Sequence, residues 1–140
     1  AEPRVASSID GQVILCIDNE SETLDGMHGL LGKWGAAPIV ASNLDHAQAA
    51  MTRAYDEHGR WPALLVVDYH LNDNVTGLHV IDALRAQAGC DLPAIILTAD
   101  HTQTVSDIVR DAGHAILRKP VKPAALRALI NRILGRQAIV

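Results

Sequence analysis

The sequence predicts a doubly wound α/β fold, in which helices cover both faces of one five-stranded parallel sheet. Five short apolar runs lie at residues 13–17, 39–41, 63–67, 94–97 and 115–117. Each run is apolar on both sides, as strands between two helical layers are, and longer stretches with a helical period separate the runs. Strict alternation of strand and helix makes the strands parallel, with right-handed crossovers.

Each of the five longer stretches carries one apolar helical face. The faces consist of Leu24, Met27, Leu31 and Trp34; Leu44, Ala47, Met51 and Ala54; Leu78, Ile81 and Leu84; Val105, Ile108, Val109 and Ala112; and Leu126, Leu129, Ile130, Ile133 and Leu134. Gly113 and Gly135 follow the fourth and fifth faces and are predicted to be C-caps, and Pro123 suits the first turn of the fifth helix.

The first helix contains three glycines, Gly26, Gly29 and Gly32. Each of them costs the helix up to about 1 kcal/mol relative to alanine. They do not directly follow a strand, so they form no dinucleotide-binding fingerprint. Close packing of this helix against a neighbour is the predicted reason for them.

Pro38 suggests where the second strand lies, because proline cannot donate to a sheet ladder and is tolerated at an edge. Of the two common doubly wound orders, the flavodoxin-like order 2-1-3-4-5 places the second strand at an edge. One domain is expected for 140 residues, over 12–135, with a flexible tail at 1–11 and another at 136–140. Because the chain begins without methionine, it is predicted to be a piece of a longer protein.

Composition argues against several classes of function. The net charge is −4 and the twelve Lys and Arg are interpreted as scattered along the chain, which argues against direct binding of nucleic acid. The two cysteines form neither a disulfide framework nor a zinc site, and they favour a reducing, cytoplasmic setting. No apolar stretch approaches the roughly 20 residues of a membrane span, so this domain is expected to make no membrane contact.

Polar side chains follow four of the five predicted strands. They are Asp18, Asn19 and Glu20 after the first strand, Asp68 after the third, Thr98 after the fourth and Lys119 after the fifth. In a doubly wound sheet, ligands bind beyond the carboxyl ends of the strands, where the strand order reverses. These side chains are therefore expected to share one site.

The charges at this site imply a divalent cation. Asp18, Glu20 and Asp68 would repel one another by about 4 kcal/mol per pair at about 4 Å and an effective dielectric of about 20. Oxygen ligands, few carboxylates and room for a phosphoryl oxygen favour Mg²⁺. Lys119 adds a fixed positive charge.

A cation, an ammonium group, a hydroxyl and a free carboxylate together suit phosphoryl transfer. Asp68 is then the nucleophile. Thr98 would donate a hydrogen bond to a phosphoryl oxygen, and the small Ala99 would leave room for that oxygen.

The order of these residues resembles the receiver domains of two-component response regulators and hybrid histidine kinases, over residues 12–134. The matching residues are the turn Asp18, Asn19 and Glu20, Asp68 after its apolar strand, Thr98 before Ala99, and Lys119 before Pro120. The resemblance implies that Asp68 accepts a phosphoryl group from a histidine kinase or a histidine phosphotransfer protein. It also implies a switch or relay that phosphorylates and dephosphorylates itself and is not a turnover enzyme.

The same resemblance implies a Mg²⁺ site formed by Asp18, Asn19, Asp68 and the backbone carbonyl of His70. The strand order given above is also partly an implication of the resemblance. No effector sequence follows the fifth helix, which favours a receiver of a hybrid kinase over a stand-alone regulator. A homodimer stays an open alternative.

Two residues depart from the pattern of that family. Asn19 stands where the family usually places an aspartate, so weaker Mg²⁺ binding is expected, partly offset by Glu20. Ile116 stands where the family commonly carries Tyr or Phe. Output is therefore expected to use backbone shifts after Thr98, or phosphorylation only relays the group onward.

The loop at 69–76 is a third departure, because it lacks the usual proline and is one residue longer than is common. His70 is two residues beyond Asp68, and Asp100 is two residues beyond Thr98. The His70 ring is expected to approach Asp100, and the pair is expected to control the access of water to the acyl phosphate.

Three other functions compete with a phosphorylated receiver. In a pseudo-receiver, Asn19 and Ile116 would mark erosion, and the domain would bind partners regardless of phosphate. An aspartyl-phosphate hydrolase would need a second aspartate where His70 stands. A flavin-binding domain would need a first loop rich in Ser, Thr and Gly, whereas the loop here is acidic and would repel a phosphate.

Overall fold

The computed structural model describes residues 8–72, 74–100 and 102–138, with side chains through residue 135. Within these residues, five strands alternate with five helices, as predicted. The elements are β1 Val13–Ile17, α1 Ser21–Lys33, β2 Ala37–Ala41, α2 Leu44–His58, β3 Leu64–Asp68, α3 Gly77–Ala88, β4 Ala94–Thr98, α4 Gln103–Asp111, β5 Ala115–Arg118 and α5 Pro123–Ala138. The strands are parallel in the order β2-β1-β3-β4-β5, which confirms the predicted order and the edge position of β2.

Two apolar layers cover the sheet, because successive residues of a strand point to opposite faces. Leu15 and Ile17 of β1 pack in the layer that α2, α3 and α4 cover, whereas Ile14 and Cys16 pack in the layer of α1 and α5. Strands β1, β3 and β4 are buried throughout, while β2 and β5 are mostly half-buried. Each fully buried aliphatic side chain contributes about 1.5–3 kcal/mol, so the central strands hold their carboxyl ends firmly in place.

The N-terminal boundary of the folded domain lies earlier than predicted. Ile9 is fully buried, and its carbonyl accepts a hydrogen bond of 3.1 Å from the Gln12 N–H. The Gly11 N–H donates to the Gly35 carbonyl, and the Gly11 carbonyl accepts from Arg60. The prediction of a flexible tail as far as residue 11 is therefore wrong for residues 9–11, and residues 1–7 lie outside the described part.

At the C-terminus, α5 continues through Ala138. Gly135 therefore lies inside the helix and is not a C-cap, and the predicted start of a tail at residue 136 is wrong, while residues 139–140 lie outside the described part. Gly113 does follow α4 with a φ of +84°, as a glycine after a helix end should. Pro123 opens α5, as predicted.

Two predictions about helix packing are also wrong. Apart from its chain neighbours and the backbone of its own helix, a Cβ atom at Gly26, Gly29 or Gly32 would meet no atom within 4 Å, so close packing against a neighbour does not explain these glycines. In α4, Ile108 was assigned to the buried face but is 43% exposed, whereas Ser106 is buried together with Val105 and Val109. None of the helices among the described residues is long and apolar enough to cross a bilayer.

Candidate functional site

The carboxyl ends of four strands bring the predicted site residues to one edge of the sheet. Asp18 directly follows β1, Asp68 and Thr98 are the last residues of β3 and β4, and Lys119 directly follows β5. Asp18, Asp68 and Thr98 are each at most 5% exposed. The parallel topology therefore places three buried polar groups beside a lysine.

The ammonium group of Lys119 is the centre of this site. Its Nζ lies 2.8 Å from Asp18 Oδ2, 3.4 Å from Asp68 Oδ1 and 3.7 Å from Glu20 Oε1. The predicted convergence of carboxylates from the first and third strands on one lysine is thus present in the structure.

The backbone of β5 holds Lys119 in this position. Its N–H donates to the Thr98 carbonyl over 2.8 Å, which extends the pairing of β4 and β5 by one step. Its side chain is only 16% exposed, and a cis peptide bond joins it to Pro120. The ammonium therefore lies at the end of a largely covered stem.

Charge and burial oppose each other at Asp68. Burial and the neighbouring charge of Asp18 raise the pKa of Asp68 to about 6, although the charge and hydrogen bond of Lys119 act in the opposite direction. The group is therefore mostly ionised at neutral pH but is held in an environment that disfavours its charge. Additional positive charge beside Asp68 would therefore stabilise its ionised form.

The acidic turn after β1 is organised by Asp18. Its Oδ1 accepts a 2.9 Å hydrogen bond from the Glu20 N–H, and its Oδ2 accepts from Lys119. Burial alone would lower the pKa of Lys119, but the hydrogen bond that Lys119 donates to Asp18 and the charges of Asp68, Asp18 and Glu20 raise it. The lysine therefore stays a cation.

The Thr98 hydroxyl is engaged in a turn with Asp100. It accepts a 2.9 Å hydrogen bond from the Asp100 N–H and donates to the Asp100 carbonyl over 3.3 Å. Ala99, between them, is exposed and carries only a methyl group. To bond a phosphoryl oxygen, Thr98 would have to give up its donation to Asp100.

Asn19 is tied to the loop after β3. Its Nδ2 donates to Asn72 Oδ1 over 3.1 Å, and both residues belong to loops at the carboxyl edge of the sheet. The amide at this position therefore joins two loops, and an aspartate would keep this link only if the Asn72 amide turned over to donate its Nδ2.

His70 and Asp100 approach each other, as predicted. The distance from His70 Nε2 to Asp100 Oδ2 is 3.8 Å, and their side chains are 61% and 32% exposed. Asp100 is fixed mainly by the Thr102 N–H, which donates to its Oδ1 over 2.8 Å and lowers the pKa of Asp100. The pair spans the loops that follow β3 and β4.

Gly77 is a site residue that the sequence analysis did not identify. A Cβ at this position would lie 2.5 Å from the Asp68 carbonyl oxygen and 3.1 Å from Ile96 Cδ1. The Gly77 N–H also donates to the Tyr69 carbonyl. The first residue of α3 therefore packs directly against the backbone of Asp68, and a glycine just after the N-cap Thr76 was the available signal.

The residues present fit a magnesium ion, although side chains alone do not form a complete cage. Among the described residues, no group of three or more His, Cys, Asp or Glu side chains is arranged to hold a metal. Asp18 and Asp68 provide two carboxylates, and their mutual repulsion contributes to the raised pKa of Asp68. An ion with few protein ligands and several waters suits such a pair.

Ile116 does not lie among these groups. It is half-buried in β5, lies opposite Ile96 of the neighbouring strand β4 and packs on the layer that α2, α3 and α4 cover. The position therefore carries an aliphatic side chain at the surface between α4 and α5, with no aromatic ring to turn inward.

A family model described as the response regulator receiver domain matches residues 14–131. The chain belongs to this family. A receiver domain protein from Clostridium thermocellum is 25% identical, with a TM-score of 0.72, over 91% of this chain and 98% of that one.

Two further solved structures share the fold. The chemotaxis protein CheY4 of Vibrio cholerae is 19% identical, with a TM-score of 0.73, over 88% of this chain and 98% of that one. A CheY-like receiver domain protein from Methanospirillum hungatei is 21% identical, with a TM-score of 0.75, over 92% and 98%. None of the curated proteins matches the chain. The assignment to the receiver family therefore rests on the family match, whereas these two structures show that the fold is shared.

Proposed function

We propose that this receiver domain accepts a phosphoryl group on Asp68 from a phosphohistidine and serves as a switch or relay of a two-component pathway. The observation that carries the proposal is the position of Lys119 Nζ within 4 Å of Asp18, Glu20 and Asp68. An ammonium beside a buried carboxylate is the arrangement that phosphoryl transfer needs, because negative charge grows on the phosphoryl oxygens.

The donor is a histidine kinase or a histidine phosphotransfer protein. An oxygen of Asp68 attacks phosphorus in line with the scissile bond, the new P–O bond forms as the P–N bond breaks, and the imidazole leaves with a proton from solvent. No other covalent bond changes. The product is an acyl phosphate, which water later hydrolyses to restore Asp68 and release inorganic phosphate.

Each neighbour of Asp68 has a distinct part in this step. With a pKa of about 6, Asp68 is ionised at neutral pH and is a competent nucleophile. Lys119, whose pKa is raised, neutralises charge on the phosphoryl group. Thr98 exchanges its hydrogen bond to the Asp100 carbonyl for one to a phosphoryl oxygen, and Ala99 leaves space for it.

Asp18, Asp68, the amide oxygen of Asn19 and the backbone carbonyl of His70 would hold Mg²⁺. When bound, the ion would neutralise negative charge on the phosphoryl oxygens. Asn19 contributes a ligand without charge, so the affinity for the ion is expected to be lower than with an aspartate there.

The lifetime of the acyl phosphate is proposed to depend on His70 and Asp100. Their side chains bridge, over 3.8 Å, the loops that directly follow Asp68 at the end of β3 and Thr98 at the end of β4. Because Ile116 replaces an aromatic ring, the output is proposed to use backbone shifts in the loop after Thr98 or a simple relay of the phosphoryl group.

The proposal is tested by incubating the chain with phosphoramidate and Mg²⁺ and measuring its intact mass. We expect the mass gain of one phosphoryl group in the wild type and none in Asp68→Asn. Asp91→Asn is the matched control, because Asp91 is an exposed carboxylate before the amino end of β4, at the opposite edge of the sheet. Failure of the wild type to gain mass, in a chain that still binds its kinase, would favour a pseudo-receiver.

A further inference from the structure

The amide of Asn19 can offer a cation only one of its two ends. A carboxamide has an oxygen, which accepts, and an NH2 group, which only donates. If the NH2 group faced a cation, its partial positive charge would oppose binding. An aspartate has no such choice to make, because its two oxygens are equivalent. An asparagine at this position therefore gains from a partner that fixes the orientation of its amide.

Asn72 is such a partner in the structure. The bond of 3.1 Å between the two side chains runs from Asn19 Nδ2 to Asn72 Oδ1, so it uses the NH2 end of Asn19. Among the described residues, none donates a hydrogen bond to Asn19 Oδ1. The oxygen is therefore the end of this amide that stays available to a cation.

The loop that carries Asn72 is itself held by backbone hydrogen bonds. The Leu71 N–H donates to the Val75 carbonyl over 3.1 Å, and the Val75 N–H donates to the Asn72 carbonyl over 3.2 Å. At the base of the loop, His70 and Thr76 form an isolated antiparallel bridge. Residues 70 and 72 therefore belong to one structured turn, which gives the acceptor of Asn72 a defined position.

The bond between Asn19 and Asn72 also connects the two halves of the proposed cation site. Asp18 and Asn19 lie in the turn after β1, whereas Asp68 ends β3 and His70 lies in the turn that follows it. A link between the two turns holds both sets of proposed ligands in place before an ion arrives. Such preorganisation lowers the entropic cost of binding.

We propose that Asn72 is a positioning residue for the cation: it keeps the oxygen of Asn19 available to the ion and holds the acidic turn against the loop after β3. Asn72 does not touch the ion. The inference rests on the magnesium site of the proposed function. It joins two departures of the chain into one, because the loop at 69–76 supplies the acceptor that an asparagine at position 19 needs and an aspartate does not.

A purely structural role is the competing explanation. A bond that only fastened two loops would support the cation site equally well whatever side chain stood at position 19. A positioning role depends on the amide, so its effect disappears when position 19 carries an aspartate. The two explanations therefore predict different coupling between positions 19 and 72.

The test is a calorimetric titration of the unphosphorylated chain with Mg²⁺. We expect Asn72→Ala to weaken binding by about threefold, because the freed amide then presents its oxygen for only part of the time. In the presence of Asn19→Asp, the same change is expected to alter affinity by less than about 1.5-fold. Asn72→Asp keeps the acceptor but cannot donate, so it is expected to bind at least as tightly as wild type.

Gln87→Ala is the matched control. The Gln87 amide donates to the Gln48 carbonyl over 3.0 Å and to the Thr52 hydroxyl over 3.3 Å, so it also links two segments that are distant in sequence. It lies near the C-terminal end of α3, away from the carboxyl edge of the sheet. We expect its Mg²⁺ affinity to equal that of wild type.

Nuclear magnetic resonance gives a second readout that does not depend on affinity. In the wild type, saturation with Mg²⁺ is expected to shift the side-chain carbonyl carbon of Asn19, while the Nδ2 protons stay hydrogen-bonded. In Asn72→Ala, the Nδ2 protons are expected to lose this bond. A Nδ2 resonance of Asn19 that is the same in wild type and Asn72→Ala would overturn the proposal.

Three patterns of affinity would also overturn it. They are equal weakening by Asn72→Ala with asparagine and with aspartate at position 19, no weakening in either, and weaker binding in Asn72→Asp, which would mean that Asn72 is the donor. Absence of Mg²⁺ binding in the wild type would overturn the cation site together with this role. If the expected affinities are found but Asp68 is not phosphorylated, the proposed phosphoryl transfer fails and the role of Asn72 stands.

Discussion

At Asp68, burial and two neighbouring side chains decide how reactive a carboxylate can be. Burial and the charge of Asp18 disfavour its ionised form, and Lys119 at 3.4 Å favours it. The result is a carboxylate that is ionised at neutral pH without being fully compensated. Because Lys119 does not fully compensate the charge of Asp68, a second cation would stabilise the ionised form further. This is the physical reason to expect a cation at this site.

The residues of the site could be predicted because strand ends in a parallel sheet share one edge. Their detailed partners could not, since these depend on loop conformations. The hydrogen bond from Asn19 to Asn72 joins two loops that are 53 residues apart in sequence, and no periodic pattern predicts such a contact. The turn that Thr98 forms with Asp100 is local, but it competes with the predicted role of the hydroxyl and was not anticipated.

The substitution Asn19→Asp tests the cation at the scale of one residue. It adds a carboxylate beside Asp18, so we expect Mg²⁺ affinity to rise by about tenfold in a titration followed by calorimetry. Asn72→Ala is the control, because it breaks the link between the two loops without adding a charge. An unchanged dissociation constant in Asn19→Asp would contradict a metal site at this position.

The substitutions His70→Ala and Asp100→Ala test the control of hydrolysis. Either change opens the bridge between the loops, so we expect the half-life of the acyl phosphate to shorten by about twofold to fivefold, as the weak coupling of a half-exposed pair implies. Release of inorganic phosphate from the labelled chain measures it. The acyl phosphate of the double variant should decay no faster than that of the faster single variant. A half-life equal to wild type in both single variants would refute the proposed control of hydrolysis by this pair.

At the scale of elements, alternation and periodicity predicted every strand and helix, whereas the ends of elements were less predictable. Gly135 has the composition of a helix end, but α5 passes through it because the helix still buries Leu134 one residue earlier. Ile9 precedes the first strand and belongs to no repeat, so its full burial could not be recognised. Both errors arise where tertiary packing overrides a local signal.

The junction of β3 and α3 provides a prediction at this scale. Gly77→Ala would place a methyl group 2.5 Å from the Asp68 carbonyl oxygen, so the strand end or the helix start has to move. We expect a loss of about 1–3 kcal/mol in the free energy of unfolding and slower phosphorylation of Asp68. Gly26→Ala is the matched control, because its Cβ would meet open space and should stabilise α1 slightly. Equal changes in the free energy of unfolding of the two variants, measured by urea denaturation, would contradict the close contact at Gly77.

At the scale of the whole molecule, the raised pKa of Asp68 links the site to stability. A folded-state pKa of about 6, above the ordinary 3.8, means that the folded chain binds this proton more tightly than the unfolded chain does. Ionisation of Asp68 therefore destabilises the fold as pH rises from about 4 through about 6.

Asp68→Asn should remove this dependence. In metal-free buffer we expect it to exceed wild type in free energy of unfolding by about 1–3 kcal/mol near pH 8 and by little below about pH 4. Urea denaturation across this range measures the difference, and Asp91→Asn controls for net charge. A difference that is constant with pH would show that Asp68 is not held in a charge-disfavouring environment.

The distribution of charge over the molecule was in the sequence but was misread there. Counting Lys and Arg along the whole chain conceals that residues 112–140 contain six of them and no Asp or Glu, and only the placement of β5 and α5 on one side turns that run into a surface. The strand order, by contrast, was predictable, because Pro38 marks an edge and alternation restricts the topology.

The most direct test of the account is to identify the residue that carries the phosphoryl group. The wild-type chain is incubated with a phosphorylated histidine phosphotransfer protein and Mg²⁺, the acyl phosphate is reduced with borohydride, and the peptides are sequenced by mass spectrometry. We predict homoserine at position 68 in the wild type and no reduced aspartate in Asp68→Asn. A phosphoryl group found on a histidine, or a reduced aspartate at any position other than 68, would contradict the central claim that Lys119 and the acidic turn make Asp68 the acceptor.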